Sequence, residues 1–525
     1  MYGTKCNSRH HKRMANDILM NPLQSMPKKC MASLLVLALG WQGAWAQPSS
    51  APSLGPASSS DLSPALERRL GEAIMVEGRR DPDYIKDPDL SQYLNAMGKK
   101  IAAYAPGGAP DIEVFGVRDS VINAFAMPGG YIGVHTGLIV TSGTEAELAG
   151  VLAHEIAHVT QRHIAQGLTQ QQQSGHLALA TLAASILAAM TPGGGQAAMG
   201  IAAFGQAAAV AQQLGFSRDA EHEADRTGFE MLRKAGYDPN GMAVMFGRLM
   251  QSSSLNEGRG GGVYVSTHPL SISRMTDMQN RIRQLPVASY QASDEFWFVR
   301  AKARILQSID PRALVQTTEQ MQEEIRPSAK TGPTAAGGVA RRAAAWYGLS
   351  LAAVVRKDFK TAASALEQAQ ALSANSPYLE LQSIELDLAR KQVAQALATA
   401  QAAQKRWPER RAFSLKIAEC LQLQVKDKEA ITYLQEQIKR WPKVEPDFYK
   451  MLGYSHERSN EPVAARQAMA SYYERLGALS ASVSQLQQAR TLSQDFYVQS
   501  QIDVQIRVLT AKIAEDRRLL ERFKS

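Results

Sequence analysis

Apolar residues at Leu148, Val151, Leu152, Ile156 and Val159 recur three and four positions apart, the spacing of a helix that buries one face. Thr144, with Glu147 three residues later, is a capping-box signature that sets the start of this helix. Upstream, DIEVFGVRDSVINAFAMPGGYIGVHTGLI alternates and is rich in β-branched and aromatic residues. It predicts two or three strands, turned at Arg118-Asp119-Ser120 and at Pro128-Gly129-Gly130. Helical periodicity begins near Leu62. After His163 an alanine-rich region, residues 177–216, predicts two weakly amphipathic helices broken at residues 192–195. SRDAEHEADRTGFEMLRKAG predicts another helix, ended by Gly236 with Lys234 in its last turn. NEGRGGGVYVSTHPLSISR reads as a Gly-rich mobile loop that leads into a His-Pro turn.

The second half of the chain repeats. Arg406-Trp407-Pro408 recurs as Arg440-Trp441-Pro442, 34 positions later, which is the period of tetratricopeptide helix–turn–helix units. Phe359, Ala362, Leu366 and Ala369 fit one unit, and Val393, Ala396, Ala400, Ala403 and Pro408 the next. Ala430, Leu434 and Pro442 mark a third, and Tyr449, Leu452 and Gly453 open a fourth. Stacked units of this kind leave a concave face that holds peptides or partner proteins. The fold class expected is therefore mostly α: an α+β domain with a small sheet, followed by a helical repeat solenoid.

Composition adds a compartment. MPKKCMASLLVLALGWQGAWA has a basic start, a short apolar run and Ala44-Trp45-Ala46, the layout of a secretory signal peptide cleaved after Ala46. The apolar run falls short of the ~20 residues a spanning helix needs, and no later segment reaches that length uninterrupted. Residues 1–46 carry six Lys/Arg against one Asp, so without them the net charge falls from +9 to +4. That balance, with no basic run interleaved with aromatics, argues against nucleic acid. Cys6 and Cys30 lie in the same segment, which leaves Cys420 alone and no internal disulfide. The expected layout is a signal peptide (1–46), a Pro/Ser/Gly linker (47–61), a catalytic domain (62–290), connecting helices and linker (291–340) and repeats (341–525).

The candidate chemistry sits on the helix opened by Thr144. His154 and His158 are four apart and share one face. Two imidazoles one turn apart supply two ligands for a catalytic zinc, and Glu155 beside them can take a proton from water as general base. A third ligand is expected from EHEAD. Glu221 and Asp225 share a face, whereas Glu223 points about 200° away at the helical period. Glu221 is therefore read as the ligand, and Asp225 as the carboxylate that orients a ligating histidine. His163 reads as a cation near a helix end rather than a ligand. His222 reads as a surface residue and His135 as a strand residue.

NAFAMPGGYIGVHTGLI, ELAGVLAHEIAHVTQRH, SRDAEHEAD and STHPLSISR, in this order, resemble the HtpX and CaaX prenyl endopeptidase type of zinc metalloprotease. The chain is most similar to the periplasmic branch that pairs this domain with tetratricopeptide repeats. The resemblance implies one Zn2+ held by His154, His158 and Glu221, with Glu155 as general base. It implies a periplasmic enzyme in quality control and assembly of outer-membrane β-barrel proteins, acting on misfolded or stalled precursors. The repeats would meet the outer-membrane assembly machinery, and the alanine-rich helices would pack on the domain or touch the membrane's inner face. Asn123, Ala124, Phe125 and Ala126 resemble an edge strand that binds substrate beside the site. His268 resembles a residue that takes the fourth zinc position from a mobile loop and holds the enzyme off, its rival role being oxyanion stabilisation. Arg274 is expected to pair with a nearby carboxylate. The alternative reading is a catalytically inactive or repressed repeat-based chaperone or adaptor.

Overall fold

The alternating stretch folds into a three-stranded sheet of β1 (Glu113–Val117), β2 (Ala124–Met127) and β3 (Tyr131–His135), in the order β1-β3-β2. The chain turns at both expected places. β3 lies parallel to β1 (Val114 opposite Ile132) and antiparallel to β2 (Phe125 opposite Gly133), so β2 is an edge. The β2–β3 turn runs through Pro128, Gly129 and Gly130, and both glycines have positive φ (81° and 86°), a conformation that side chains resist. The structure is a computed structural model describing residues 63–170, 216–255, 263–286, 288–290, 292–326, 338–441 and 443–521. The expected signal peptide, linker, almost all of the alanine-rich region and the Gly260–262 run lie outside the described residues.

Period-two alternation gives the sheet two buried faces. Val114, Ile132 and Val134 pack with Leu148, Val151 and Leu152, while Phe115, Phe125 and Met127 pack with Leu70, Ile74 and Met75. The first group meets helix α4 (Glu145–Thr160), whose residues 147–158 are all buried. The second meets α1 (Pro64–Gly78); α2 (Pro88–Ala102) and the short α3 (Thr136–Thr141) complete the layer. Thr144 Oγ1 caps α4 by accepting from Glu147 N at 3.2 Å. The reciprocal half of the box differs from expectation: the Glu147 carboxylate accepts from Gly143 N at 2.8 Å, one residue before the cap, and also pairs with Arg248 at 2.9 Å. After α5 (His163–Gln170) come α6 (Arg218–Lys234) and α7 (Asn240–Leu255), which pack on α4. Gly228 lets α6 close in, since a Cβ there would lie 3.0 Å from the Ala153 backbone. Gly236 (φ 80°) ends α6 as expected. Residues expected as loop form a short helix, α8 (Val263–Thr267), before His268 and α9 (Ile272–Arg283).

The connecting helices α10 (Glu295–Gln307) and α11 (Pro311–Ile325) lead into helix pairs: α12 (Gly338–Val355) with α13 (Phe359–Leu372), α14 (Pro377–Ala389) with α15 (Val393–Arg406), α16 (Arg411–Leu423) with α17 (Asp427–Arg440), and α18 (Pro446–Arg458) with α19 (Pro462–Arg475). A further pair, α20 (Leu479–Leu492) and α21 (Phe496–Glu521), carries no Arg-Trp-Pro signal and follows the four units marked in the sequence, within the expected repeat region. The period is written in the backbone. Lys357, Lys391, Val425 and Asn460 all hold φ of 60–64° at intervals of 34, 34 and 35 residues. The next residue closes each helix end, as where Gln392 N donates to Asp387 O at 2.8 Å. Five positions on, Ala362, Ala396, Ala430 and Ala465 are buried at the same intervals, and their small side chains let the paired helices approach closely. Trp407 and Trp441 cap α15 and α17, each under its preceding arginine at 4.6 and 4.9 Å. One apolar core continues across residues 290 and 340, joining Ile85 to Leu386, and Leu520 of the last helix is buried in the cluster of Leu70 and Phe115. Among the described residues no helix is long and apolar enough to cross a membrane.

Candidate metal centre

α4 projects His154, Glu155 and His158 inward, all fully buried. α6, held close at Gly228, brings Glu221 and Asp225 to the same place, one turn apart on its buried face. His268 arrives from the segment between α8 and α9, its N–H donating to Tyr264 O at 2.8 Å. His154, His158, Glu221 and His268 each offer one ligand atom, and these atoms lie within 4.8 Å of one another. His154 Nε2 is 3.0 Å from His158 Nε2, 3.3 Å from His268 Nδ1 and 3.4 Å from Glu221 Oε2. Glu221 Oε1 is 3.0 Å from His268 Nδ1 and 3.5 Å from His158 Nε2. Four converging donors of this kind are a place for a metal ion.

Around them stands a second ring of contacts. Asp225 lies behind His154, its Oδ1 3.1 Å from Nδ1 in a close but poorly aligned contact. Arg274 grips both oxygens of Asp225, at 2.6 and 2.7 Å, and reaches Glu221 Oε2 at 2.7 Å. The expected carboxylate partner of Arg274 is thus two carboxylates. Glu155 Oε2 accepts from Ala126 N at 3.1 Å, and its Oε1 faces Tyr264 OH at 3.4 Å and His268 Nε2 at 3.5 Å. The edge strand therefore touches the candidate base directly. Because His135 N donates to Asn123 O, the antiparallel alternation puts Phe125 and Met127 in the hydrogen-bonded pairs with β3 and turns the backbone groups of Ala124 and Ala126 outward. Asn123 precedes β2, and its carbonyl accepts from His135 N at 3.0 Å.

Two residues escaped the sequence reading, and the setting of a third was only partly legible. Tyr264 stacks on His268 at 4.6 Å, and Phe216 stacks on His158 at 3.9 Å. Aromatic residues beside candidate ligands were the available signal, but neither lies at a helical interval from α4. The third is His163, read above as a cation near a helix end rather than a ligand. It does stand at a helix end, the start of α5, but buried, with Nδ1 2.9 Å from His158 Nδ1 and its charge disfavoured chiefly by that burial. His222, read as a surface residue, is half-buried, and Glu223 is exposed, 3.5 Å from His163 Nε2.

Burial and pairing pull the protons in different directions. Burial opposes charge on His154, but Asp225 and Glu221 outweigh it and push the pKa up to about 9. Burial, then the neighbouring His154, holds His158 well below the ordinary histidine value, leaving a free lone pair. Burial opposes the charge of Glu221, yet His268 and His154 hold it ionised, far below the carboxylate range. Asp225 is likewise lowered: burial acts against it and the Arg274 and His154 contacts prevail. Glu155 is raised, chiefly by burial, as suits a carboxylate that must accept a proton.

A description of peptidase family M48 matches residues 88–282, a span that contains every residue of this centre. The chain is 32% identical over 349 residues to the beta-barrel assembly-enhancing protease of Escherichia coli (strain K12), covering 66% of this chain and 68% of that relative. It is 36% identical over 252 residues to a putative beta-barrel assembly-enhancing protease of Vibrio cholerae serotype O1, covering 48% of this chain and 51% of the relative. Among solved structures it resembles the TPR domain of P58(IPK) at 14% identity and a TM-score of 0.15, over 74% of this chain and 96% of that one. So slight an overlap carries no weight, and the repeat reading stands on the helix pairs themselves.

Proposed function

This chain belongs to peptidase family M48 and is a metalloendopeptidase, and from that premise we propose a zinc-dependent enzyme of the Gram-negative periplasm that clears misfolded or stalled outer-membrane β-barrel precursors and supports their assembly. The observation that carries the zinc assignment is the ligand spacing. Corners of a tetrahedron with bonds of about 2.0–2.1 Å lie roughly 3.3–3.5 Å apart. The nearest separations here are 3.0, 3.0, 3.3, 3.4 and 3.5 Å, at or just below that range. Two imidazoles and a carboxylate are also a donor set suited to hydrolytic zinc. His154, His158 and Glu221 would hold the zinc, which would supply a Lewis acid and lower the pKa of water towards neutrality.

The chain's own residues supply the rest. Glu155 takes a proton from the attacking water and returns it to the leaving amine nitrogen. Asp225, clamped by Arg274, positions His154. An extended substrate laid along the outward groups of Ala124 and the Ala126 carbonyl passes beside Glu155, which already holds the Ala126 N–H, and is held by backbone pairing, which suits unfolded chains with little sequence preference. The concave face expected of such repeats is assigned to partners, the outer-membrane assembly machinery among them; the relatives' names support a role in β-barrel assembly. His268 is read as a fourth ligand that holds the site closed, because its Nδ1 lies among the ligand atoms. His268→Ala should then keep zinc and raise casein cleavage, whereas an oxyanion role requires a fall of roughly 10²–10³.

The test of substrate class is direct. Purified protein should cleave an unassembled β-barrel precursor and spare the folded barrel, stop on chelation and resume with added zinc. Equal cleavage of the folded barrel, or cleavage that survives chelation, would overturn the proposal.

A further inference from the structure

His163 is buried beside the metal centre, yet it is outside the ligand set and no step above uses it. Its place is not that of the next residue on α4. In a continuous helix, five residues carry a side chain about 140° round from His158. Here α4 ends, Arg162 takes a left-handed conformation (φ 56°), and His163 begins α5. The break turns the imidazole back, so that its Nδ1 meets His158 Nδ1 at 2.9 Å, while its Nε2 faces Glu223 Oε2 at 3.5 Å. A left-handed non-glycine residue is a conformation that persists where its surroundings demand it.

We infer that His163 is the positioning residue for the ligand His158: its Nδ1 accepts the N–H that His158 carries at Nδ1 when Nε2 ligates. The inference rests on the zinc reading and adds to it the partner of the second histidine. A 2.9 Å contact between two ring nitrogens requires one donor and one acceptor. With Nε2 committed to the metal, a neutral His158 has its proton on Nδ1 and must be the donor. His163 is then the tautomer with its proton on Nε2, directed at Glu223. The two histidine ligands are thereby backed differently. His154 faces Asp225, a carboxylate fixed by Arg274, whereas His158 faces a neutral ring whose own partner is solvent-exposed. Phe216, stacked on His158 at 3.9 Å, constrains the ring plane but offers it no acceptor.

The experiment is a chelator-competition titration of zinc on the full chain, with cobalt-substituted absorption spectra alongside. His163→Leu removes the acceptor, and loss of such an outer partner costs about 10–100-fold in metal affinity. His163→Asn sets an amide oxygen where Nδ1 stood, and should bind within a few-fold of wild type with a wild-type cobalt spectrum. The Leu variant should also shift that spectrum, since His158 is freed to turn. Unchanged affinity in His163→Leu, with wild type binding zinc, overturns the assignment alone; a wild type that binds no zinc overturns the metal reading itself. Should His163→Leu not fold, long-range proton–nitrogen spectra of the zinc-loaded wild type decide: a proton on Nε2 of His163 supports the assignment and one on Nδ1 overturns it.

Discussion

The metal centre and the helical repeats bury their residues by opposite means. The centre gathers ionisable groups from α4, α6 and the α8–α9 segment, more than a hundred residues apart at the extremes, and each depends on a partner from another segment. The repeats bury alanines at 34- and 35-residue intervals and meet their neighbours locally. A buried charge without its partner is far more costly than a small misfit between apolar surfaces. The contrast teaches that this chain keeps its fragile chemistry in long-range contacts and its tolerance in periodic ones.

Arg274 is where that contrast should break most severely. Arg274→Met leaves Asp225 and Glu221 buried without their cation, and removing one member of such a pair costs about 3–5 kcal/mol; the side chains concerned are no more than 3% exposed. Denaturant unfolding should register that loss, and metal analysis a lowered zinc content. Unaltered stability would mean the pair is dispensable.

The joint between the two regions comes next. Glu324 of α11 accepts from Arg304, Arg341 and Arg300 at 3.0, 2.8 and 3.4 Å. Burial opposes its charge, but Arg304 and its neighbours hold the pKa down at about 2, from an ordinary 4.5. Its contribution is therefore fully present above pH 4.5 and lost as pH falls towards 2. Glu324→Gln should cost about 3 kcal/mol near neutrality and flatten the acid limb of stability in that window. Unfolding measured from pH 7 downwards checks this; an unchanged acid limb would contradict it.

Within the repeats the effects should shrink. Ala400 is fully buried in α15, and Ala400→Leu overpacks the helix pair at a cost of about 1–3 kcal/mol, while zinc content stays at the wild-type level. A loss of zinc there would show that the repeats and the centre are more tightly coupled than their contacts suggest. Smallest of all, Lys391→Gly relieves a left-handed residue (φ 64°) and should stabilise by about 1 kcal/mol or less. Thermal melts of the pair of variants separate the two signs.

The same division governs what could be read before any coordinates. His154, Glu155 and His158 are legible because one helix turn sets their spacing, and Glu221 with Asp225 because α6 puts them on one face. The repeats are legible because a local contact pattern repeats in register with the sequence. The burial of His163 against His158 is not legible because its direction depends on the left-handed turn at Arg162, which no periodicity announces. Tyr264 is not legible because the Gly-rich approach to α8 reads as loop. The final helix pair lacks the tryptophan marker, and the core running from Ile85 to Leu386 is a long-range product that local patterns do not contain.

The central claim is that Glu155 performs proton transfer at a zinc held by other residues. Measuring zinc content and casein hydrolysis on the same preparation of Glu155→Gln tests it most directly. The account predicts one zinc per chain and no hydrolysis, because the amide cannot accept the proton while the ligands are intact. Hydrolysis at the wild-type rate with zinc present, or loss of zinc from this variant, would contradict it.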